Sequence, residues 1–400
     1  MNSDSTTQVV VAGGGVGALE AVLALRALAG GRVALTMLAP EEHFTFQPLS
    51  VGDPFALGPA KRYPLARVAE DMALDLRRTG LASVDAGART VRTTDGDELS
   101  YDALLVAVGA GREPAYGHAL TFRGQQDGES AHGLVQDLEG GYVRRIAFVV
   151  PPGNAWSLPL YELALMTVAR AKEMSLEGVS VTLVTPEEAP LGVFGMQASD
   201  EVGRLLTEAG IALETGVHAA VERSGEVLLR PGDRRIECDR IVALPRIVGR
   251  PIEGLPGDEH GFVPIDEHAR VPGVEGIWAA GDGTAFPVKQ GGIACQQADA
   301  AAADIARSAG AELDAKPFRP VLRGQLLTGA EPRFMSHSLE GGHGEDSSVS
   351  PHTLWWPPGK IAGEYLAPYL GELPEVGPER EPEVPLEVEP TGEACVRMWI

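Results

Sequence analysis

Residues 8–28, QVVVAGGGVGALEAVLALRAL, constrain the fold more than any other stretch of the chain. An apolar strand runs directly into Gly13, Gly15 and Ala18 at G-x-G-x-x-A spacing, and Val16 and Gly17 then open a helix. The first glycine permits a tight turn, the second lets backbone approach a pyrophosphate, and the small third residue lets helix pack on strand. The helix start adds unpaired N–H groups and a positive dipole end for the phosphates. Past the second strand, Glu41 or Glu42 is placed to hydrogen-bond an adenosine ribose, while Ala39 stands where counting expects the acid. A turn without a ligand would need the glycines alone, not the flanking strands and a following acid.

The unit occurs twice. VALTMLAPEE (33–42) is echoed by VSVTLVTPEE (179–188), each a β-branched strand ending in Pro-Glu-Glu. VRTTDGDELSYDALLVAVGAG (91–111) is echoed by VLLRPGDRRIECDRIVALPRIVG (227–249), where a Gly-Asp turn joins two strands and a third, buried strand follows. The fold class expected is therefore α/β, with two Rossmann-like βαβ-plus-meander domains, the second inserted in the first. The boundaries expected are 1–112 with 268–310 for the first, 113–267 for the insert, 311–371 for a small C-terminal region and 372–400 for a tail. Residues 372–393 carry eight glutamates and five prolines and cannot bury enough apolar surface to order themselves. Acidic residues outnumber basic ones 56 to 33, and the net charge of −23 argues against nucleic acid or an anionic membrane as partner. The chain has no run of about 18 apolar residues, so no transmembrane helix is expected, and the opening MNSDSTTQ lacks a basic and apolar leader pattern, so no secretion signal is expected. Three scattered cysteines without C-x-x-C fit a reducing cytoplasm. The nine histidines show no metal-binding spacing, so no metal is expected.

Near residue 280 a strand ends in Ala-Gly-Asp, GIWAAGDGTAF (276–286). Together with the first cradle it resembles the FAD-binding branch of the pyridine nucleotide-disulphide oxidoreductase superfamily. HFTFQPL (43–49, with Pro48), YDALLVAVGAG (with Ala107 and Gly109) and PVKQGGIACQQADAAAADIA narrow the likeness. They are similar to the group of sulfide:quinone oxidoreductase, flavocytochrome c sulfide dehydrogenase and type II NADH dehydrogenase, over about residues 8–330. The resemblance implies FAD as cofactor, with Gly281 and Asp282 at the ribityl chain. It also places the N-terminus of the helix opening at Gln290, Gly291 and Gly292 against the ring, where negative charge develops on reduction. The activity implied is an FAD-dependent oxidoreductase passing electrons through flavin N5 between a small-molecule donor and acceptor, with sulfur species or quinone as candidates. The resemblance leaves open a homodimer.

The second cradle, VVPPGNAWSLPLYELAL (149–165), has lost its glycines. In one register the three glycine positions hold Pro151, Gly153 and Trp156; in the other, Gly153, Ala155 and Leu158. Proline offers no N–H, and bulky side chains crowd helix against strand. The domain is therefore expected to keep the fold without a nicotinamide, although Glu187 is placed to meet a ribose. The alternatives are an NAD(P)H-dependent FAD reductase and an FAD-binding protein retained as a non-catalytic partner. Sulfide-oxidising relatives use a cysteine pair, but Trp156 stands at one position and residues 317–334 hold no cysteine. Cys295, near the start of the ring-facing helix, is the candidate reactive thiol, against its reading as a small buried hydrophobe. Lys289 is the candidate positive charge beside the flavin. Trp355 and Trp356 are a shelter for the ring, an acceptor site or a packing clamp between domains.

Overall fold

A computed structural model describes residues 6–58, 60–124, 128–153, 156–339 and 347–373. Most of the acidic tail, including Cys395, lies outside the described residues. The apolar runs of the sequence form two five-stranded parallel sheets that share the order of four strands and differ in the fifth, an outer strand that comes last in the chain in the first sheet and first in the second. In the first, the order is Ile277–Ala279, Ala103–Val106, Thr7–Ala12, Val33–Leu38 and Asp75–Arg77. In the second it is Leu120–Thr121, Arg240–Ala243, Arg145–Val149, Ser180–Val184 and Ala212–Glu214. Strands buried on both faces need near-continuous apolar sequence, which is why VVVA, ALLV and IAFV read without alternation.

Each sheet carries a three-stranded antiparallel meander, Leu81–Asp85, Thr90–Thr93 and Glu98–Ser100 in the first copy. The second copy is His218–Arg223, Glu226–Arg230 and Arg234–Glu237. The chain leaves the first unit through Gly111–Glu113 and returns through Arg246–Val248, and these two segments pair antiparallel. The inserted topology thus has a two-stranded neck.

The helices Val16–Ala29 and Gly291–Ser308 pack together over the first sheet through alanine-rich faces, with Ala18, Ala21, Ala298, Ala301 and Ala302 fully buried. The small side chains explain the alanine run: they let the two backbones approach closely. Val321–Leu326, Arg333–Ser338 and Ser347–Ser350 form a further antiparallel sheet. It packs on the second unit, where Leu322, Leu326 and Met335 join the core around Tyr161 and Phe194. The chain then crosses back to the first unit and forms the helix Leu366–Glu372, whose Leu366 and Leu370 join the core beside Val16–Ala29. That helix occupies the first residue assigned by sequence to the tail.

Candidate active site

A cavity of about 870 Å³ opens at the carboxyl ends of the first sheet and extends to the second unit and the C-terminal region. Open α/β sheets bind ligands at this position. Its walls include Gly13–Gly17, Glu41, Pro48, Ala107, Gly109, Gly281, Asp282, Lys289 and Gly291.

The two glycines of the first cradle have separate jobs. Gly13 has φ +131°, and a Cβ there would lie 2.2 Å from the Ala107 carbonyl oxygen, so it permits close strand ends. Gly15 has ordinary extended backbone and nothing within 4 Å of a built Cβ. Its openness leaves room for a ligand's backbone-hugging group. Ala18 is fully buried and serves packing alone.

Of the two candidate ribose acids, Glu41 reaches the cavity. Glu42 is exposed and absent from the wall, and its carbonyl accepts from the Leu65 N–H instead. Gly281 takes φ +86°, and Asp282 beside it is half-buried at the wall without a hydrogen-bonding partner among the described residues. Burial pushes the Asp282 carboxyl up, opposed by Arg112 and Lys289. Its free carboxyl matches a hydroxyl-bearing chain.

Gln290 caps the helix Gly291–Ser308 with its own side chain, accepting from the Ile293 N–H at 2.9 Å. Gly291 faces the cavity, but Gly292 is buried off the wall. Lys289 is 5% exposed; its ammonium donates to the Thr284 carbonyl and sits 3.9 Å from the Phe262 ring centroid. Burial lowers it to about 8, opposed by Asp282 and Asp258. An ammonium that titrates near neutrality, at the wall beside Asp282, is consistent with an electrostatic role.

Cys295 corrects the expectation of a reactive thiolate. It is fully buried and does not line the cavity, because its position on the helix turns it toward Glu20. Burial, Glu20 and Asp299 hold the thiol well above its ordinary range, the opposite of thiolate activation. Cys238 is likewise buried and pushed up to about 11. Trp355 packs edge-on against Phe334 at 5.4 Å and bonds the Gly359 carbonyl, as a clamp does; Trp356 is 85% exposed.

Sequence reasoning missed the buried pair Glu162–Lys360. Both side chains line the cavity and both are almost wholly buried, with the Lys360 ammonium bonded to Glu162 Oε1. Oε1 also accepts the Leu327 N–H at 2.7 Å, while Oε2 has no partner. Burial raises the Glu162 carboxyl and lowers the Lys360 ammonium, each opposed by the other's charge. Only a charged residue in the middle of an apolar helix, LPLYELAL, hinted at it.

The second cradle keeps a positive-φ glycine, Gly153 at φ +103°, but its surroundings differ from those of the first. Trp156 packs edge-on to Phe194 at 5.7 Å; residues 154 and 155 lie outside the described residues. Phe194 in turn presses on Gly324, where a Cβ would meet it at 2.4 Å. Glu187, the counterpart of the open Glu41, is already bonded by Ser157 at 3.1 Å, Tyr161 at 2.7 Å and Thr185 at 2.9 Å.

The profile of the pyridine nucleotide-disulphide oxidoreductases matches residues 7–304. The chain belongs to that family. It is accordingly an FAD-dependent oxidoreductase. An NADH dehydrogenase-like protein of Mycobacterium tuberculosis is 28% identical over 295 residues, 69% of this chain and 72% of the relative. The ferredoxin reductase component of a Cupriavidus chlorobenzene dioxygenase is 26% identical, covering 72% and 69%. Among solved structures, the sulfide:quinone oxidoreductase of Aquifex aeolicus superposes with TM-score 0.79 at 20% identity, over 86% of each chain. A ferredoxin reductase of Rhodopseudomonas palustris gives 0.61 at 20% identity, over 83% and 82%. These likenesses show the fold. No helix among the described residues is long and apolar enough to cross a membrane, and no described cluster has the ligands of a metal site.

Proposed function

We propose that this flavoprotein takes electrons from a small-molecule donor other than NAD(P)H and delivers them to a second small molecule, with sulfur species and quinones as the candidate classes. In this reading Gly13–Gly17 and the start of the first helix hold the FAD pyrophosphate. Glu41 holds the adenosine ribose, Asp282 the ribityl chain, and the N-terminus of Gly291–Ser308 faces the ring. Bound there, FAD supplies reversible two-electron chemistry. The chain's own residues supply the rest. Lys289 and the helix N-terminus stabilise negative charge at that end of the cavity. Trp156, Leu158, Pro159 and Ile361 make its wall apolar. The Lys360–Glu162 pair holds a proton between Nζ and Oε1 at the cavity wall.

The observation that carries this reading is the contrast between Glu41 and Glu187. One carboxylate of the duplicated unit is open to a cavity; the other is saturated by hydroxyls of its own chain. A ribose would have to displace three hydrogen bonds to reach it. The second reading, an NAD(P)H-driven reductase, is favoured by the NADH dehydrogenase-like and ferredoxin reductase relatives. A cytoplasmic location fits the scattered cysteines. Anaerobic stopped-flow mixing with sulfide, quinols, NADH and NADPH separates the readings. Fast bleaching of the flavin by sulfide or a quinol alone supports the proposal; fast bleaching by either nicotinamide refutes it.

A further inference from the structure

The segment from Lys360 to Leu366 is staked at both ends on buried carboxyl groups from different units. At one end the Lys360 ammonium bonds Glu162 of the second unit. At the other, Glu20 of the first helix accepts the Tyr365 N–H at 2.9 Å and the Leu366 N–H at 2.7 Å. Between the stakes, Ile361 lines the cavity and packs so closely on the helix start that a Cβ at Gly291 would stand 3.0 Å from it. Gly363 is pressed against the second stake: a Cβ there would lie 2.6 Å from Glu20 Oε2 and 3.0 Å from Cys295 Sγ.

Glu20 is fully buried, and no cation neutralises it among the described contacts. What faces it is another acid, Asp299, one helical turn beyond Cys295 on the helix Gly291–Ser308. Asp299 and Cys295 both stand within hydrogen-bonding reach of Glu20, and Asp299 Oδ1 is buried with no partner among the described residues. The remaining titratable groups facing the pair are on the strap itself, Glu364 and Tyr365. Two carboxyl groups in contact at a buried site hold a proton between them, because both cannot ionise there.

We propose that residues 360–366 form a closing strap over the flavin cavity, latched to the first unit by a proton shared between Asp299 and Glu20. With that proton in place, Glu20 has two oxygens free to bind the strap's amides. Without it, two negative charges meet under the strap, and Glu364 adds a third. The strap then loosens at Tyr365–Leu366, and Ile361 and Lys360 lose their fixed place at the cavity wall.

The direction follows from linkage. Burial and Glu20 raise Asp299 to about 9 in the latched state. An acid whose pKa is raised on closing stabilises the closed form fully below its open-state value and loses that contribution as pH rises to the closed-state value. Latching therefore weakens through the neutral range, by up to about tenfold per pH unit, and levels off above about pH 9.

Native-state hydrogen exchange of the FAD-loaded full chain, from about pH 6 to about pH 9, reads this at two amides. After division by the intrinsic rate, exchange at Tyr365 and Leu366 is expected to rise with pH in the native protein and to stay flat in Asp299→Asn, which still donates to Glu20 but cannot ionise. Amides of the helix Leu158–Glu173 in the same native molecule give a second reference and are expected to stay flat, so the test survives an unstable variant. Equal pH dependence at the strap and that helix, or the same rise in Asp299→Asn, overturns the proposal. The readout does not depend on which donor or acceptor is turned over.

Discussion

Removing the Lys360 ammonium while leaving Glu162 in place gives a stability deficit whose size and pH dependence both follow from the geometry. The two side chains are 4% and 1% exposed, so solvent does not screen the loss. Truncating one partner of a buried ion pair costs about 3–5 kcal/mol. Glu162 limits that cost by taking up a proton, starting from an ordinary value of 4.5. Each pH unit above that point costs about 1.4 kcal/mol, or about 3.4 kcal/mol at pH 7. The two routes agree. In Lys360→Met the raised Glu162 contributes stability that is present at low pH and lost as pH rises toward its folded-state pKa. Urea unfolding of the holoprotein is therefore expected to show a deficit of about 1 kcal/mol near pH 5, from the lost hydrogen bond, growing to about 3–5 kcal/mol by pH 8. The double variant Glu162→Gln/Lys360→Met is expected to recover most of the high-pH loss, because no unpaired charge remains. A deficit equal at pH 5 and pH 8, or below about 1 kcal/mol at pH 8, would refute the reasoning.

Other substitutions probe other parts of the site. Gly15→Ala is expected to leave apoprotein stability within about 0.5 kcal/mol and yet weaken FAD binding by tenfold or more in a fluorescence titration, because only the ligand meets the new methyl group. Gly13→Ala, by contrast, is expected to destabilise the apoprotein itself by about 2–6 kcal/mol in urea, from the clash with Ala107 and the positive φ. Tyr161→Phe should cost about 1.5–3 kcal/mol of stability by removing a hydrogen bond to Glu187, with no change in the flavin spectrum. The wild-type flavin absorption is expected to shift with a midpoint near pH 8 as the Lys289 ammonium loses its proton, and Lys289→Met is expected to abolish that shift in a pH titration of the spectrum.

Sequence carried the sheet wiring because parallel strands declare themselves by unbroken apolar runs and because the module is duplicated. The two Pro-Glu-Glu echoes mark the strand ends where Glu41 and Glu187 stand. What the echo could not convey is that one acid faces a cavity and the other is bonded by Ser157, Tyr161 and Thr185. Those partners come from a neighbouring helix and strand whose register only the fold sets. Cys295 was misplaced for a related reason: a position near a helix start says nothing about which side of the helix meets the ligand. One residue's rotation separates Ala294, which lines the cavity, from Cys295, which turns toward Glu20. Glu162–Lys360 and Glu20–Asp299 were invisible because their members lie far apart in the chain. Glu162 and Lys360 meet only where the C-terminal segment crosses from the second unit to the first, and Glu20 and Asp299 only because the helices Val16–Ala29 and Gly291–Ser308 pack together.

We propose that of two copies of one dinucleotide cradle, the first is fitted for a cofactor and the second is closed by its own side chains. A structure of the FAD-loaded protein soaked in saturating NADH tests it most directly. The expected result is a flavin dinucleotide along Gly13–Gly17 and Asp282, with Glu187 still bonded to Tyr161 and no second dinucleotide. Nicotinamide density over residues 151–158, with Glu187 turned onto its ribose, would contradict it.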